Sequence, residues 1–105
     1  MSDSPRSAGS TFHLEKTGEW LRVTVVGELN ASTSNALRAV ADSPINTSRR
    51  IVIDLAGVTE LDSSGVYALV QLRENSLELQ LQNPSPRAAT VLKLTGLDIW
   101  IEDTS

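Results

Sequence analysis

The sequence predicts a single α/β domain, a mixed and mostly parallel sheet of about five strands with helices packed on one face. Three observations predict it. Segments whose apolar residues recur at every second position alternate along the chain with segments of helical period. The strand segments are apolar on one side only, which excludes a doubly wound sheet covered on both faces. A chain of 105 residues also holds one ordinary core and not two. Residues 1–10, MSDSPRSAGS, are small and polar and are expected to form a flexible tail, leaving 11–105 as the domain.

The elements follow in order. Thr11 to Glu15 is a weak strand candidate. From Leu21 to Val26 the alternation is plain, with Leu21, Val23 and Val25 on one side and Arg22 and Thr24 on the other. Ser32 to Ala41 changes to helical spacing, placing Leu37, Val40 and Ala41 on one stripe with Ser32 or Thr33 as N-cap. Ile51, Ile53 and Leu55 return to alternation, with Asp54 opposite. This strand is expected to end near Leu55, where Gly57 permits a turn. Gly65 to Glu74 sets Val66, Leu69 and Val70 on a helix face that the stem of Arg73 extends. Leu77 to Gln82 puts every leucine on one face and every polar residue on the other. Pro86 to Thr95 lines up Ala88, Val91, Leu92 and Thr95, with Pro86 suited to a first turn and Gly96 to a left-handed C-terminal cap. Ile99 to Glu102 is a weak closing strand. Right-handed crossovers between these strands place successive helices on the same side of the sheet.

Composition narrows the function by exclusion. Nine basic residues against 13 acidic ones leave a net charge of −4, a surface that repels a phosphate backbone, so nucleic-acid binding is not expected. The absence of cysteine excludes disulfides, thiol catalysis and thiolate metal sites. The single histidine, His13, excludes His–His metal sets and counts against a His-based triad. No catalytic residue, metal or cofactor is expected, and the domain is not read as an enzyme. The longest apolar run, Val66 to Val70, falls far short of the ~20 residues of a membrane span, so no direct membrane insertion is expected. No charged-then-apolar leader pattern opens the sequence, and the expected location is cytoplasmic. Trp20 and Trp100 read as edge packing residues, His13 as a surface residue, and Arg49-Arg50 as the solvated entry to a strand. Glu28 and Asp54 both fall near one loop, but acid–base chemistry would need a substrate pocket around them.

The informative stretch is Asp54 to Tyr67, DLAGVTELDSSGVY, a passage from strand to helix. Asp62, Ser63 and Ser64 stand at the helix entrance. A serine there can cap free N–H groups, and its hydroxyl lies at the positive end of the helix dipole. The same hydroxyl could instead be a modification site. A phosphate on it would add about −1.5 to −2 charges without breaking the fold, taking the chain to about −6. Tyr67 lies off the Val66-Leu69-Val70 stripe and reads either as a contact aromatic or as packing.

Five pieces in series resemble the bacterial anti-sigma factor antagonists of the STAS-domain family. They are Gly27-Glu28-Leu29-Asn30-Ala31-Ser32-Thr33, the strand Arg50 to Val58, LDSSG at Leu61 to Gly65, NPSPR at Asn83 to Arg87, and LTGL at Leu94 to Leu97. The resemblance implies a sheet with helices on one side. It also implies that the unmodified protein binds an anti-sigma factor with serine kinase activity, freeing a sigma factor for transcription. In the family the kinase phosphorylates the first serine after the motif's Asp, which falls on Ser63 here, with Ser64 the competing acceptor. A phosphatase reverses the modification. The implied partner-binding set is Asn30, Ser32, Thr33, Asp62, Ser63, Ser64, Gly65 and Tyr67. Two features depart from the pattern. Many members have Asp where this chain has Asn30, and Asn75-Ser76 leads into Leu77 without the usual glycine. Two other roles remain open: an unphosphorylated STAS adaptor in an ABC-type lipid transporter or other assembly, and a small-molecule or nucleotide sensor.

Overall fold

The alternating segments pair into a four-stranded sheet in a computed structural model that describes residues 10–41 and 50–101. Strand β1 (Ser10–Thr17) turns through Gly18, at φ 60°, and Glu19 into β2 (Trp20–Leu29). The two pair antiparallel, from Ser10↔Gly27 to Thr17↔Trp20. Helix α1 (Ala31–Ala41) leads to β3 (Arg50–Leu61), α2 (Ser63–Glu74) to β4 (Glu78–Gln82), and α3 (Pro86–Thr95) follows. Both β2–β3 and β3–β4 are parallel, giving the order β1-β2-β3-β4. Residues 1–9, Arg49 and Glu102 lie outside the described residues, as do the side chains of Val40 and Ala41. Ser10, read as the end of the tail, is the first paired residue of β1.

One face of the sheet carries the core. Leu21, Val23 and Val25 of β2, Ile51, Ile53 and Leu55 of β3, and Leu79 and Leu81 of β4 are buried with Leu37, Leu69, Leu72, Ala88 and Leu92 of the helices. The other face is tied by polar groups. Arg22 Nη2 donates to Asp54 Oδ2 at 2.7 Å and Nη1 donates to Gln82 Oε1 at 2.8 Å, spanning β2, β3 and β4. Arg50 pairs with Glu19 and Glu78, so its charge is used at the strand entry. Pro86 opens α3 behind the cap Ser85, and Gly96, at φ 83°, closes it in the left-handed conformation, as the sequence leads one to expect.

Four expectations need correction. β3 does not end near Leu55 but runs to Leu61, because it takes up two register shifts against β2, between Thr24 and Val26 and between Gly27 and Glu28. Each adds a residue to β3, so buried positions pass from Leu55 to Val58 to Leu61. Gly57 therefore serves close approach and not a turn. A Cβ there would lie 2.9 Å from Val26 Cγ2 and 3.2 Å from the Val25 carbonyl oxygen. Leu77 precedes β4 and is exposed, unlike Leu79 and Leu81. The buried face of α2 is centred on Gly65, Ala68, Leu69 and Leu72, leaving Val66 and Val70 half-buried at its margin. The last strand is reduced to one parallel bridge, Leu81↔Ile101. After Gly96 the chain enters a 3-10 turn, Leu97–Trp100, which buries Leu97 and sets Trp100 under the Arg73 guanidinium at 4.8 Å.

Gly57→Ala is expected to destabilise the domain by about 1–3 kcal/mol in urea denaturation, the cost of overpacking. Val26→Ala in the same chain removes the nearer obstacle and should recover part of that loss.

Candidate functional site

β2 and β3 end level with each other, at the pair Leu29↔Leu61, and each passes through one residue into a helix. Asn30 opens α1 and Asp62 opens α2. Two helix entrances thus stand side by side at the carboxyl ends of adjacent parallel strands. Their dipoles and uncapped N–H groups favour negative charge there, against the carboxylates of Asp62 and Glu28 at the same entrances.

The two entrances are capped differently from expectation. Asn30 Oδ1 accepts from the Ser32 N–H at 3.1 Å and the Thr33 N–H at 3.2 Å. Thr33 reciprocates: its Oγ1 accepts from the Asn30 N–H at 2.9 Å and donates to the Glu28 carbonyl at 2.7 Å. Asn30, and neither Ser32 nor Thr33, is the cap of α1. At α2 the cap is Asp62, in extended conformation at φ −110°, whose Oδ1 accepts from the Gly65 N–H at 3.1 Å. The Asp62 N–H donates to the Leu29 carbonyl at 3.2 Å, which fastens the second entrance to the first.

Ser63 and Ser64 are therefore the first two residues of the helix and not its caps. Neither hydroxyl has a hydrogen-bond partner among the described residues. Ser63 is exposed and Ser64 half-buried. Gly65 is buried where a Cβ would lie 2.6 Å from Leu61 Cδ1 and 2.8 Å from the Leu29 carbonyl oxygen. No side chain fits that approach. Thr33, at 8% exposure, is buried as well. These two residues shape the site, while Ser32, Asp62, Ser63 and Tyr67 are exposed on it and Asn30 is half-buried.

A cleft of about 480 Å³ separates α1 from α2, with Ser34, Asn35 and Arg38 on one wall and Ser63, Ser64 and Tyr67 on the other. Tyr67 is 58% exposed, and its hydroxyl accepts from Gln71 Nε2 at 3.0 Å. Gln71 Oε1 in turn accepts from Arg38 Nη1, and Arg38 Nη2 donates to Asn35 Oδ1. The Arg38 side of this cleft escaped the sequence reading. Its signal was Ser34, a small polar residue falling three before Leu37 on an otherwise apolar stripe.

Glu28 and Asp54 are not brought together. Asp54 pairs with Arg22 on the open sheet face, whereas Glu28 receives the Asn30 side-chain amide at 3.1 Å. Asp54 lies beside Thr24, four residues before Glu28 on β2, or about 13 Å away along the strand. Trp20 and Trp100 are half-buried and His13 is exposed. Among the described residues no helix is long and apolar enough to cross a membrane.

A family model described as Mlab, STAS domain, matches residues 12–102 of this chain. Solved structures share the fold. An anti-sigma factor antagonist from Mycobacterium paratuberculosis is 27% identical, with a TM-score of 0.75, over 93% of this chain and 86% of that one. The anti-sigma factor antagonist SpoIIAA in its unphosphorylated form is 25% identical, with a TM-score of 0.71, over 90% of this chain and 89% of that one. The Bacillus cell fate determinant SpoIIAA in the phosphorylated form is 26% identical, with a TM-score of 0.69, over 90% of this chain and 92% of that one.

Asn30→Ala removes the cap of α1 and is expected to cost about 0.5–2 kcal/mol in urea denaturation. Asn30→Asp keeps a capping oxygen and should cost less than the alanine variant.

Proposed function

The chain belongs to the STAS-domain family, and on that premise we propose that it is an anti-sigma factor antagonist switched by phosphorylation of Ser63. In the unmodified state it binds an anti-sigma factor that is also a serine kinase, which releases a sigma factor for transcription. The protein acts in the cytoplasm, by binding and not by catalysis. The partner supplies the chemistry. Its bound nucleoside triphosphate loses the terminal phosphoryl group to Ser63 Oγ. A new O–P bond forms as the bond to the diphosphate breaks, and the hydroxyl proton leaves to a base on the partner. A phosphatase restores the serine by hydrolysis.

The observation that carries this reading is the position of Ser63 directly after the Asp62 cap, exposed, with a hydroxyl that has no hydrogen-bond partner among the described residues. A side chain that neither caps nor packs can be modified without unfolding the helix behind it. A dianion at the start of a helix is also favoured by the dipole and by free N–H groups. The match to SpoIIAA in both its forms supports the same point, since one fold accommodates either state of that protein. The contact surface runs over Ser32, Asp62, Ser63, Ser64 and Tyr67 beside Asn30, with Thr33 and Gly65 holding its shape. Two added charges inside such a contact weaken binding steeply, because every ~1.4 kcal/mol is a factor of ten.

The matched family model is described as Mlab and not as an antagonist, so the adaptor role stands as the second reading. One experiment separates the two. Wild type, Ser63→Ala and Ser63→Glu are used as baits in the native host, and captured proteins are identified by mass spectrometry. Wild type and Ser63→Ala should retain a kinase-type anti-sigma factor that Ser63→Glu loses. The captured kinase should phosphorylate wild type and leave Ser63→Ala unlabelled. Full labelling of Ser63→Ala overturns the acceptor assignment. Capture of membrane ATPase subunits by all three baits alike replaces the switch with the adaptor.

A further inference from the structure

We propose that the cleft between α1 and α2 is the receiving site for the phosphoryl group carried by Ser63, with the Arg38 guanidinium as its counter-charge. The proposal deepens the switch described above and rests on Ser63 as the acceptor. Three independent features of the cleft point to an anion of this kind.

The first is the pair of helix entrances. Neither α1 nor α2 has an acidic residue in its first turn. The α1 cap is the neutral Asn30, so that entrance carries no carboxylate of its own to oppose an arriving anion. The second is Ser34, which lines the cleft at 3% exposure with a hydroxyl oxygen that has no hydrogen-bond partner among the described residues. Buried hydroxyls are seldom left unpaired, and a phosphoryl oxygen in the cleft would supply the missing acceptor.

The third is Arg38 itself. Arg22, Arg50 and Arg87 each face a carboxylate, whereas Arg38 donates to two neutral amides, Gln71 and Asn35. Its charge is not neutralised by those bonds. A planar fork of N–H donors matches two oxygens of a phosphate, and charge-assisted bonds to it are stronger than bonds to an amide. A phosphate on Ser63 would therefore draw Arg38 from Gln71. Gln71 also donates to the Tyr67 hydroxyl, so the exposed aromatic of the contact surface loses its link to α1 at the same moment. The modification then alters two features of the surface at once, the charge at Ser63 and the anchorage of Tyr67. Among the described residues, the other charged groups near the cleft are the carboxylates of Asp62, next to Ser63, and Glu28, bonded to Asn30. Both disfavour the dianion and remain constant when Arg38 is changed.

The test places phosphoserine at position 63 of the full chain by translational incorporation and follows the second ionisation of the phosphate by phosphorus NMR. Arg38→Gln should raise the titration midpoint by about half a unit or more, a roughly threefold rise in proton affinity. Arg38→Lys should keep most of the wild-type value. Ser34→Ala removes only an unpartnered hydroxyl, so it folds and should raise the midpoint by a smaller step. Equal midpoints in Arg38→Gln, Ser34→Ala and wild type overturn the proposal. A parallel titration of the unmodified chain with inorganic phosphate follows the Ser34 and Arg38 amide signals. A saturable response there with equal midpoints in the phosphoserine proteins assigns the cleft to a soluble anion and overturns the tethered site. Because no kinase is used, a failure here is distinct from a failure of Ser63 to be the kinase's acceptor.

Discussion

The first turn of α2 rests on the ends of β2 and β3 because residue 65 has no side chain. With Leu61 Cδ1 and the Leu29 carbonyl oxygen standing 2.6 and 2.8 Å from where a Cβ would be, the helix could not approach with any other residue there. That approach lets the Asp62 N–H reach the Leu29 carbonyl, one residue before the Asn30 cap of α1. The entrances of α1 and α2 are thereby held together, and the cleft, the exposed serine and the neighbouring Tyr67 follow from that placement. A helix displaced outward by even a small distance would separate Ser63 from the α1 wall and leave two unrelated helix ends.

For this contact to form, β3 must end level with β2. A strand from Arg50 without irregularity would match β2 residue for residue, and its last residues would pass the turn into α1. The two register shifts absorb the excess, and they bring Leu61 opposite Leu29 with its side chain still in the core. The buried spacing changes from two to three at Leu55, Val58 and Leu61, as bulges demand. The bulges are thus part of the site's construction, although they lie within the sheet.

Much of this was legible in the sequence. Leu21-Val23-Val25 and Ile51-Ile53-Leu55 declare strands with one buried face, and Pro86 and Gly96 bracket α3. The residue patterns that resemble the STAS family also marked Asn30 and the Asp62-to-Gly65 loop. What was not legible depends on contacts between distant residues. Each entrance offers several cap-forming side chains in succession, and local preference does not choose among them. The bond between Asp62 N–H and Leu29 O settles α2, and the reciprocal bonds of Asn30 and Thr33 settle α1. Gly57 read as a turn because its close neighbour, Val26, is 31 residues away in sequence. The final strand is reduced to a single bridge because the turn after Gly96 commits Leu97 and Trp100 to the core, with the Arg73 guanidinium over the Trp100 ring.

The choice of Asn at position 30 can be judged by what each alternative does to Glu28. An aspartate would cap α1 equally well, and its charge would suit the helix dipole. It would also set a second carboxylate beside Glu28, with no N–H to offer it. Asn30 caps through Oδ1 and uses Nδ2 to hold Glu28 Oε1 at 3.1 Å, satisfying both neighbours with one neutral group. The consequence reaches the second entrance. The α1 side of the cleft keeps the helix's positive end unopposed by its own cap, while Asp62 supplies the one capping carboxylate on the α2 side. A net charge of −4 spread over the chain says little about such a surface. The local balance, two helix entrances and Arg38 against Asp62 and Glu28, decides how readily it accepts two more negative charges at Ser63.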